Sequence, residues 1–547
     1  MQSTMQDVQL SIAQILRHGS TVHGDAEVVT WQGTDARRRS YADVGRRCAQ
    51  LAHALRGLGI DGDQRVATFM WNNAEHLEAY LAVPAMGAVL HTLNIRLFPE
   101  QLIHVANHAE DQIIIVDPSL LPLLNPQLPQ LATVRHIIVT GDATSSVEAP
   151  NGGVEAPAGV AVHSYEALLA EQPVTFDWPE VDERSGAAMC YTSGTTGDPK
   201  GVVYSHRSIY LHSMQVCSTE GPALTQGDRA LAVVPQFHAM AWGLPYSAFM
   251  VGASLIMPDR FLQPAPLAAI IEAEKVTCAA AVPTIWQGLH QHLQKHPQDI
   301  SGLRDVLIGG SAVPPALMHT FQDDYGVEVL QGWGMTETSP LGSVSRAPAG
   351  TTGEERWHYR YTQGRFPASV QARIVDDLGA VLPHDGKTVG ELEVRGPWIT
   401  GSYYGIDASD KFQDDWLRTG DVGAITPDGY LTLTDRTKDI IKSGGEWISS
   451  VDLENTIMGH PDVIEAAVIA VPDPQWDERP LVAVVLRDES AATPESLREF
   501  LSDKVARWQL PENWTVIDEV PKTSVGKFDK KRLRSQYHDG GLEITRL

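Results

Sequence analysis

Short apolar runs recur along this chain at the length of strands, and between them apolar positions fall at helical intervals. In YADVGRRCAQLAHALRGLG (41–59), Val44, Cys48, Leu51, Leu55 and Leu58 mark one stripe at spacings of three and four. That spacing predicts an amphipathic helix, with Gly59 placed to end it. The runs RVATFMW (65–71), QIIIVD (112–117), HIIVTG (136–141), ALAVVP (230–235), ASLIMP (253–258), VTCAAAVP (276–283) and DVLIGG (305–310) are apolar throughout rather than alternating. Strands of that kind are buried on both faces, so the pattern predicts mostly parallel sheets covered by helices.

After about residue 365 the texture changes to shorter strand-like pieces separated by turns, such as GELEVRGPW (390–398) and DGYLTLTDR (428–436). The last hundred or so residues read as a small α+β unit, with strands AAVIAVPD (466–473) and LVAVVLRD (481–488) and a helix opening at Thr493-Pro494. Thr is a good N-cap and Pro suits the first helical turn. The expected organisation is a large domain over 1–434, made of two α/β subdomains and a small β-barrel-like part from about 365, then a hinge at 435–440 and a mobile α+β lid at 441–547. Two polar stretches, 143–159 and 347–355, read as surface loops.

Composition narrows the partners. A chain of 547 residues exceeds one ordinary core and predicts about three or four compact units. Its net charge of -26 argues against a nucleic-acid surface, which needs clustered Lys and Arg. The one dense basic run, KFDKKRLR (527–534), has the look of a solvated face as much as of a site. Cys48, Cys190, Cys217 and Cys278 lie far apart with no CxxC pair, which fits a reducing compartment. The first basic residue is Arg17, so no leader is expected, and apolar stretches such as AYLAVPAMGAVL (79–90) fall short of the roughly 20 residues that span a bilayer. A cytoplasmic protein is expected.

The densest candidate chemistry is YTSGTTGDPKG (191–201). Gly194, Gly197 and Gly201 allow successive N–H groups to converge on an anion, Thr192, Ser193, Thr195 and Thr196 add hydroxyls, and Lys200 adds a charge. It is not a Walker A loop, because Lys200 lies between Pro199 and Gly201. A phosphate cradle is the expectation.

YTSGTTGDPKGVVYSH (191–206), QGWGMTET (331–338), RTGD (418–421), DRTKDIIKSGGEWIS (435–449) and KTSVGK (522–527) together resemble the acyl-adenylate-forming superfamily, in its motif order and across nearly the whole chain. GGEWISSVDLEN and PQFHAMAW are most similar to its medium- and long-chain fatty acyl-CoA synthetases. The resemblance implies ATP, Mg²⁺ and CoA, with a fatty acid activated as acyl-AMP and then transferred to the CoA thiol. It implies that 192–200 holds the β- and γ-phosphates, that Thr192 and Glu337 take the metal, and that Thr336 lies beside the α-phosphate. Gln331, Gly332 and Trp333 would contact adenine against Gly310, with Trp333 where the family usually carries Tyr. Asp421 would accept the ribose hydroxyls, and Arg436, Lys438 and Lys442 would lie near the nucleotide, Lys438 at the pivot. Lys527 would bridge the acyl carboxylate and the α-phosphate in the first step. Gly444 and Gly445, with Trp447, would pass the pantetheine arm in the second. His238, Trp242, Gly310 and Gly334 would line the acyl channel, and the absence of a carboxylate in 235–243 points away from amino acids.

A ligase for another acid (aryl, steroid side-chain or short thioether) stays open, as does a fatty acyl-AMP ligase loading a carrier protein. A non-catalytic nucleotide-binding protein is the rival from another class. The resemblance also implies a homodimer, and peripheral membrane contact stays open because the expected substrates partition into bilayers.

Overall fold

The computed structural model describes residues 1–141, 153–192, 198–444, 446–488, 490–522 and 528–547. Ser193, Gly194, Thr195, Thr196, Gly197, Gly445 and Lys527, the side chain of Trp447, and the first part of the 143–159 stretch lie outside the described residues.

All seven apolar runs contain strands. One sheet takes parallel strands in the order Ala161–Ser164, His136–Val139, Asp111–Val116, Arg65–Phe69, Val89–Thr92 and Gly186–Tyr191, with Gly201–Ser205 antiparallel at the edge. Ile113, Ile114 and Ile115 are fully buried, as expected of a strand covered on both faces. The second sheet has a parallel core of Glu328–Gly334, Asp305–Gly309, Cys278–Ala281, Arg229–Leu231, Ser254–Met257 and Glu27–Trp31. The β-rich stretch does not stand apart from it: Leu341–Val344, Gly364–Arg365, Tyr430–Arg436, Trp416–Ile425, Gly390–Arg395 and Gln371–Val375 continue that sheet as an antiparallel run.

The amphipathic helix is Tyr41–Gly57. Ser40 and Asp43 form a reciprocal capping box at its start, and Val44, Cys48, Leu51 and Leu55 are fully buried. Its neighbours supply the packing that propensity alone does not, for instance Phe249, stacked on Tyr41 at 3.9 Å between ring centres. The 347–355 stretch is a loop only in part, since a helix begins at Gly353.

The C-terminal part is a separate small α+β domain. Its central strand Asp477–Leu486 pairs antiparallel with Val463–Asp473 and parallel with Asn513–Val516. The helices Ser450–Met458, Pro494–Leu501 and Lys530–His538 pack with this sheet, the second opened by a Thr493 capping box. The basic run turns out not to be a uniformly solvated face. The Lys530 side chain is 12% exposed, with its ammonium 2.6 Å from Ser450 Oγ and 2.7 Å from Glu454 Oε1. Ser450 also donates through N and Oγ to Asp435 Oδ2, at 2.7 and 2.5 Å, which ties the C-terminal domain to the end of the preceding strand.

Candidate active site

A cleft of about 350 Å³ opens at the carboxyl ends of strands from both parallel sheets. Thr192 follows Gly186–Tyr191, Val282 follows Cys278–Ala281, Gly309 and Gly310 end Asp305–Gly309, and Met335–Glu337 follow Glu328–Gly334. Open α/β sheets bind ligands at such edges, because loops that leave a strand there are free to carry polar groups while the strands below stay rigid.

On one wall of the cleft, Thr192 N donates to Lys200 O at 3.0 Å and Lys200 N donates to Thr192 Oγ1 at 3.1 Å. The Lys200 ammonium lies 4.9 Å from the centre of the Tyr403 ring. Glu337, 7% exposed, accepts the Tyr403 hydroxyl on Oε1 at 2.6 Å, and its backbone oxygen accepts Thr400 N at 2.8 Å. Thr336 lines the same wall and accepts the Tyr204 hydroxyl on its backbone oxygen at 2.8 Å. A carboxylate and a hydroxyl, Glu337 and Thr192, face one cleft; these are the hard oxygen donors that suit Mg²⁺ when phosphate oxygens and water complete its shell.

On a second wall, Gly310, Gly332, Trp333 and Gly334 line the cleft. The Trp333 indole donates to Asp421 Oδ2 at 2.8 Å, and Arg436 Nε reaches Asp421 Oδ1 at 2.8 Å. Asp421 and Arg436 face each other across paired antiparallel strands, so register sets this contact. Asp421 itself is 4% exposed and stands one layer behind the lining, where Thr419, Gly420, Arg436, Thr437 and Lys438 are found. Asp421→Ala would strand a buried indole N–H and is expected to cost about 1–3 kcal/mol of stability. The Trp333 wall and Arg436 lose their common anchor in that variant, and thermal melting checks the loss.

On the apolar side, His238 and Trp242 line the cleft with Val282, Leu307, Pro340 and Leu341. Ala239, Met240, Ala241 and Trp242 have φ between 43° and 55°, a left-handed turn made of ordinary residues. Each such residue costs on the order of 1–2 kcal/mol, so surrounding packing must hold this turn in place. A Cβ on Gly309 would meet the Gly332 carbonyl at 2.9 Å and the Trp242 ring at 3.3 Å, so only glycine lets the indole lie so close across the strand end.

Besides Asp421, the expected site residues Gln331, Lys442 and Gly444 lie off the lining. Gln331 is buried, its Oε1 accepting Val313 N at 3.2 Å and its Nε2 donating to the carbonyl of Tyr361 at 3.0 Å. Lys442 and Gly444 are exposed on the C-terminal domain. Gly444, at φ +60°, donates N–H to Trp476 O at 2.8 Å, and a Cβ there would meet the Trp476 ring at 2.8 Å. Lys438 is exposed and reaches the cleft.

Sequence reasoning missed Tyr403, Lys411 and Arg418. Arg418 belongs to the RTGD motif and was legible there; Lys411 and Tyr403 carry no local signal, because the packing of a distant loop brings them in. Lys200, Lys411, Arg418, Arg436 and Lys438 line the cleft against Asp198 and Glu337, an excess of cations in a chain of net charge -26. Such focusing suits a polyanionic ligand.

A cation-rich cleft at the carboxyl edge of parallel sheets defines a nucleotide-binding α/β protein. The chain belongs to the AMP-binding enzyme family, which matches residues 16–404, and the family's C-terminal domain matches 452–527. It is 44% identical over 543 residues to the long-chain-fatty-acid–CoA ligase of Thermus thermophilus, covering 98% of this chain and 97% of that one. It is 42% identical over 535 residues to the medium-chain-fatty-acid–CoA ligase of Ectopseudomonas oleovorans (97% and 96% covered). It is 41% identical over 548 residues to the 3-methylmercaptopropionyl-CoA ligase of Ruegeria lacuscaerulensis (98% and 99% covered). Among solved structures, the anthranilate CoA ligase AuaEII in complex with anthranoyl-AMP superposes with a TM-score of 0.87 at 25% identity, over 99% of this chain and 100% of that one.

Proposed function

We propose that this protein is an ATP-dependent acyl-CoA synthetase that activates a medium- or long-chain fatty acid. The observation that carries the reading is the convergence, in one cleft, of a phosphate-loop lysine, a buried carboxylate, an indole wall and an apolar end. In the first step the acid's carboxylate oxygen attacks the α-phosphorus of ATP, a P–O bond forms, and pyrophosphate leaves with the electrons of the bond that breaks. In the second, the CoA thiol loses its proton and attacks the acyl carbonyl, and AMP leaves.

Positioned charge is what such a reaction needs from the protein. Lys200, with the glycine-rich segment, neutralises the β- and γ-phosphates; Trp333 and Gly310 flank the base; Thr336 donates to the α-phosphate. Glu337 and Thr192 would hold Mg²⁺, which when bound would supply charge neutralisation on the phosphates. Lys527 neutralises the attacking and accepting oxygens of the first step, and Gly444 and Gly445, with Trp447, admit the thiol arm in the second. Gly444 stands off the cleft while Lys438 reaches it, so the second step calls for rotation of the C-terminal domain about the 435–440 hinge. Cytoplasmic residence and a homodimer through the large domain belong to the same reading; no helix among the described residues is long and apolar enough to cross a membrane.

A short thioether acid is the second reading, favoured by the 3-methylmercaptopropionyl-CoA ligase likeness and by Trp242 lying across Gly309. Thioester formation with ATP, Mg²⁺ and CoA, measured over fatty acids of graded length and over 3-methylthiopropionate, separates the two. For a fatty acid, kcat/KM should rise up to about four-fold per added methylene until the channel fills, from roughly 0.8 kcal/mol of burial each. A maximum at 3-methylthiopropionate selects the second reading, and no thioester with any acid rejects both.

A further inference from the structure

Tyr403 touches both charges of the phosphate side, and neither the motifs nor the reaction above gives it a task. It lies on the 400–404 segment, whose backbone is pinned at two points of the site: Thr400 N donates to Glu337 O at 2.8 Å, and Tyr404 N donates to Gly201 O at 2.9 Å, just beyond Lys200. This strap therefore links the exit of the glycine-rich segment to the turn that carries Glu337. Between those pins the Tyr403 side chain is 7% exposed; its hydroxyl donates to Glu337 Oε1 at 2.6 Å and its ring face receives the Lys200 ammonium at 4.9 Å. The ring also packs against Phe412, with centroids 5.6 Å apart, so it is not free to swing away.

From this geometry we infer that Tyr403 is a positioning residue that holds the metal carboxylate and the phosphate lysine in place separately. A phenol can serve both because its two recognition elements lie at right angles: the O–H donates in the ring plane, while the negative face of the ring attracts a cation. Donation to Oε1 fixes the carboxylate plane and leaves Oε2 as the oxygen for a cation. Seating Lys200 over the ring keeps the ammonium from collapsing onto Glu337, an ion pair that would neutralise both groups before substrate arrived. Outer-shell donors to ligating carboxylates usually matter about 10–100-fold in metal affinity. The inference rests on the proposed nucleotide and metal reading of this cleft.

Two variants separate the roles. Tyr403→Phe keeps the ring and removes the donor, whereas Tyr403→Gln keeps a donor and removes the ring. Mn²⁺ binding to the complex of the full-length protein with α,β-methylene-ATP is measured by electron paramagnetic resonance, and metal-free α,β-methylene-ATP binding by calorimetry in EDTA. Tyr403→Phe is expected to weaken Mn²⁺ about ten-fold, with metal-free nucleotide binding within two-fold of wild type. Tyr403→Gln is expected to do the reverse, weakening metal-free nucleotide binding and retaining most Mn²⁺ affinity. A merely structural tyrosine would move both quantities together in both variants, and that outcome overturns the proposal, as does a Phe variant that holds Mn²⁺ like wild type. If the Phe variant does not fold, the Gln variant decides alone: metal-free binding equal to wild type overturns it. Wild-type protein that binds neither nucleotide nor Mn²⁺ rejects the functional reading itself.

Discussion

Lys530→Ala is expected to destabilise the C-terminal domain by about 3–5 kcal/mol, the range for removing one partner of a buried ion pair. Burial opposes the charged form of Lys530, yet Glu454, Asp435 and Asp439 outweigh it and hold its pKa above the ordinary lysine value. The carboxylates around it feel the same burial: Glu454 and Asp435 are pushed above their usual range, chiefly by desolvation. Without the ammonium, these groups are left as uncompensated buried anions. The deficit has a definite pH dependence. A carboxylate whose folded pKa exceeds its unfolded value favours the folded state as pH falls, so the variant should recover part of its loss between neutral and mildly acidic pH. Because Asp435 also accepts from Ser450, the loss should reach the join between the domains. Urea unfolding at pH 7.5 and 5.5, with hydrogen exchange over Ser450–Met458, checks this; equal deficits at the two pH values would show that the cluster is not electrostatically coupled.

Three residues earlier, Lys527→Ala should leave stability unchanged and slow adenylate formation. The loss of one positioned cation from a charge-dense transition state is worth about 2–4 kcal/mol, or roughly 10²–10³ in rate, by analogy with deleting a single oxyanion donor. Lys522 and Phe528 flank the segment that holds it, paired by an antiparallel bridge, and Lys522 is anchored to Glu465 at 2.7 Å. ATP–pyrophosphate exchange reads the first step. Transfer from preformed acyl-AMP to CoA reads the second, and there the variant should match wild type under the proposed first-step role of Lys527. A variant equally impaired in both steps would deny this lysine its separate role.

The contrast between these two lysines shows where one-dimensional reasoning stops. Both lie in the same basic run, and composition treats them alike. Motif spacing singles out Lys527, whereas Lys530 acquires its partners only because Lys530–His538 packs beside Ser450–Met458, some eighty residues back along the chain. Asp421 gains partners in the same way: antiparallel register sets it opposite Arg436, and its carboxylate accepts the Trp333 indole N–H. The Trp that replaces the family's usual Tyr supplies an indole N–H to that carboxylate, a partner no reading of residue types alone could assign.

The sequence by itself determined the strands, because runs apolar on both faces can lie stably only inside a covered sheet, and it singled out 191–201 as a candidate phosphate loop from its glycines and hydroxyls. Only the tertiary structure decided that Tyr403 bridges Lys200 and Glu337, that Lys411 joins the cation set, and that the β-rich stretch continues the second sheet. The physical reason is range: burial and backbone pattern are recorded within a few residues, whereas a hydrogen bond or ion pair depends on which distant segments packing brings within 3 or 4 Å.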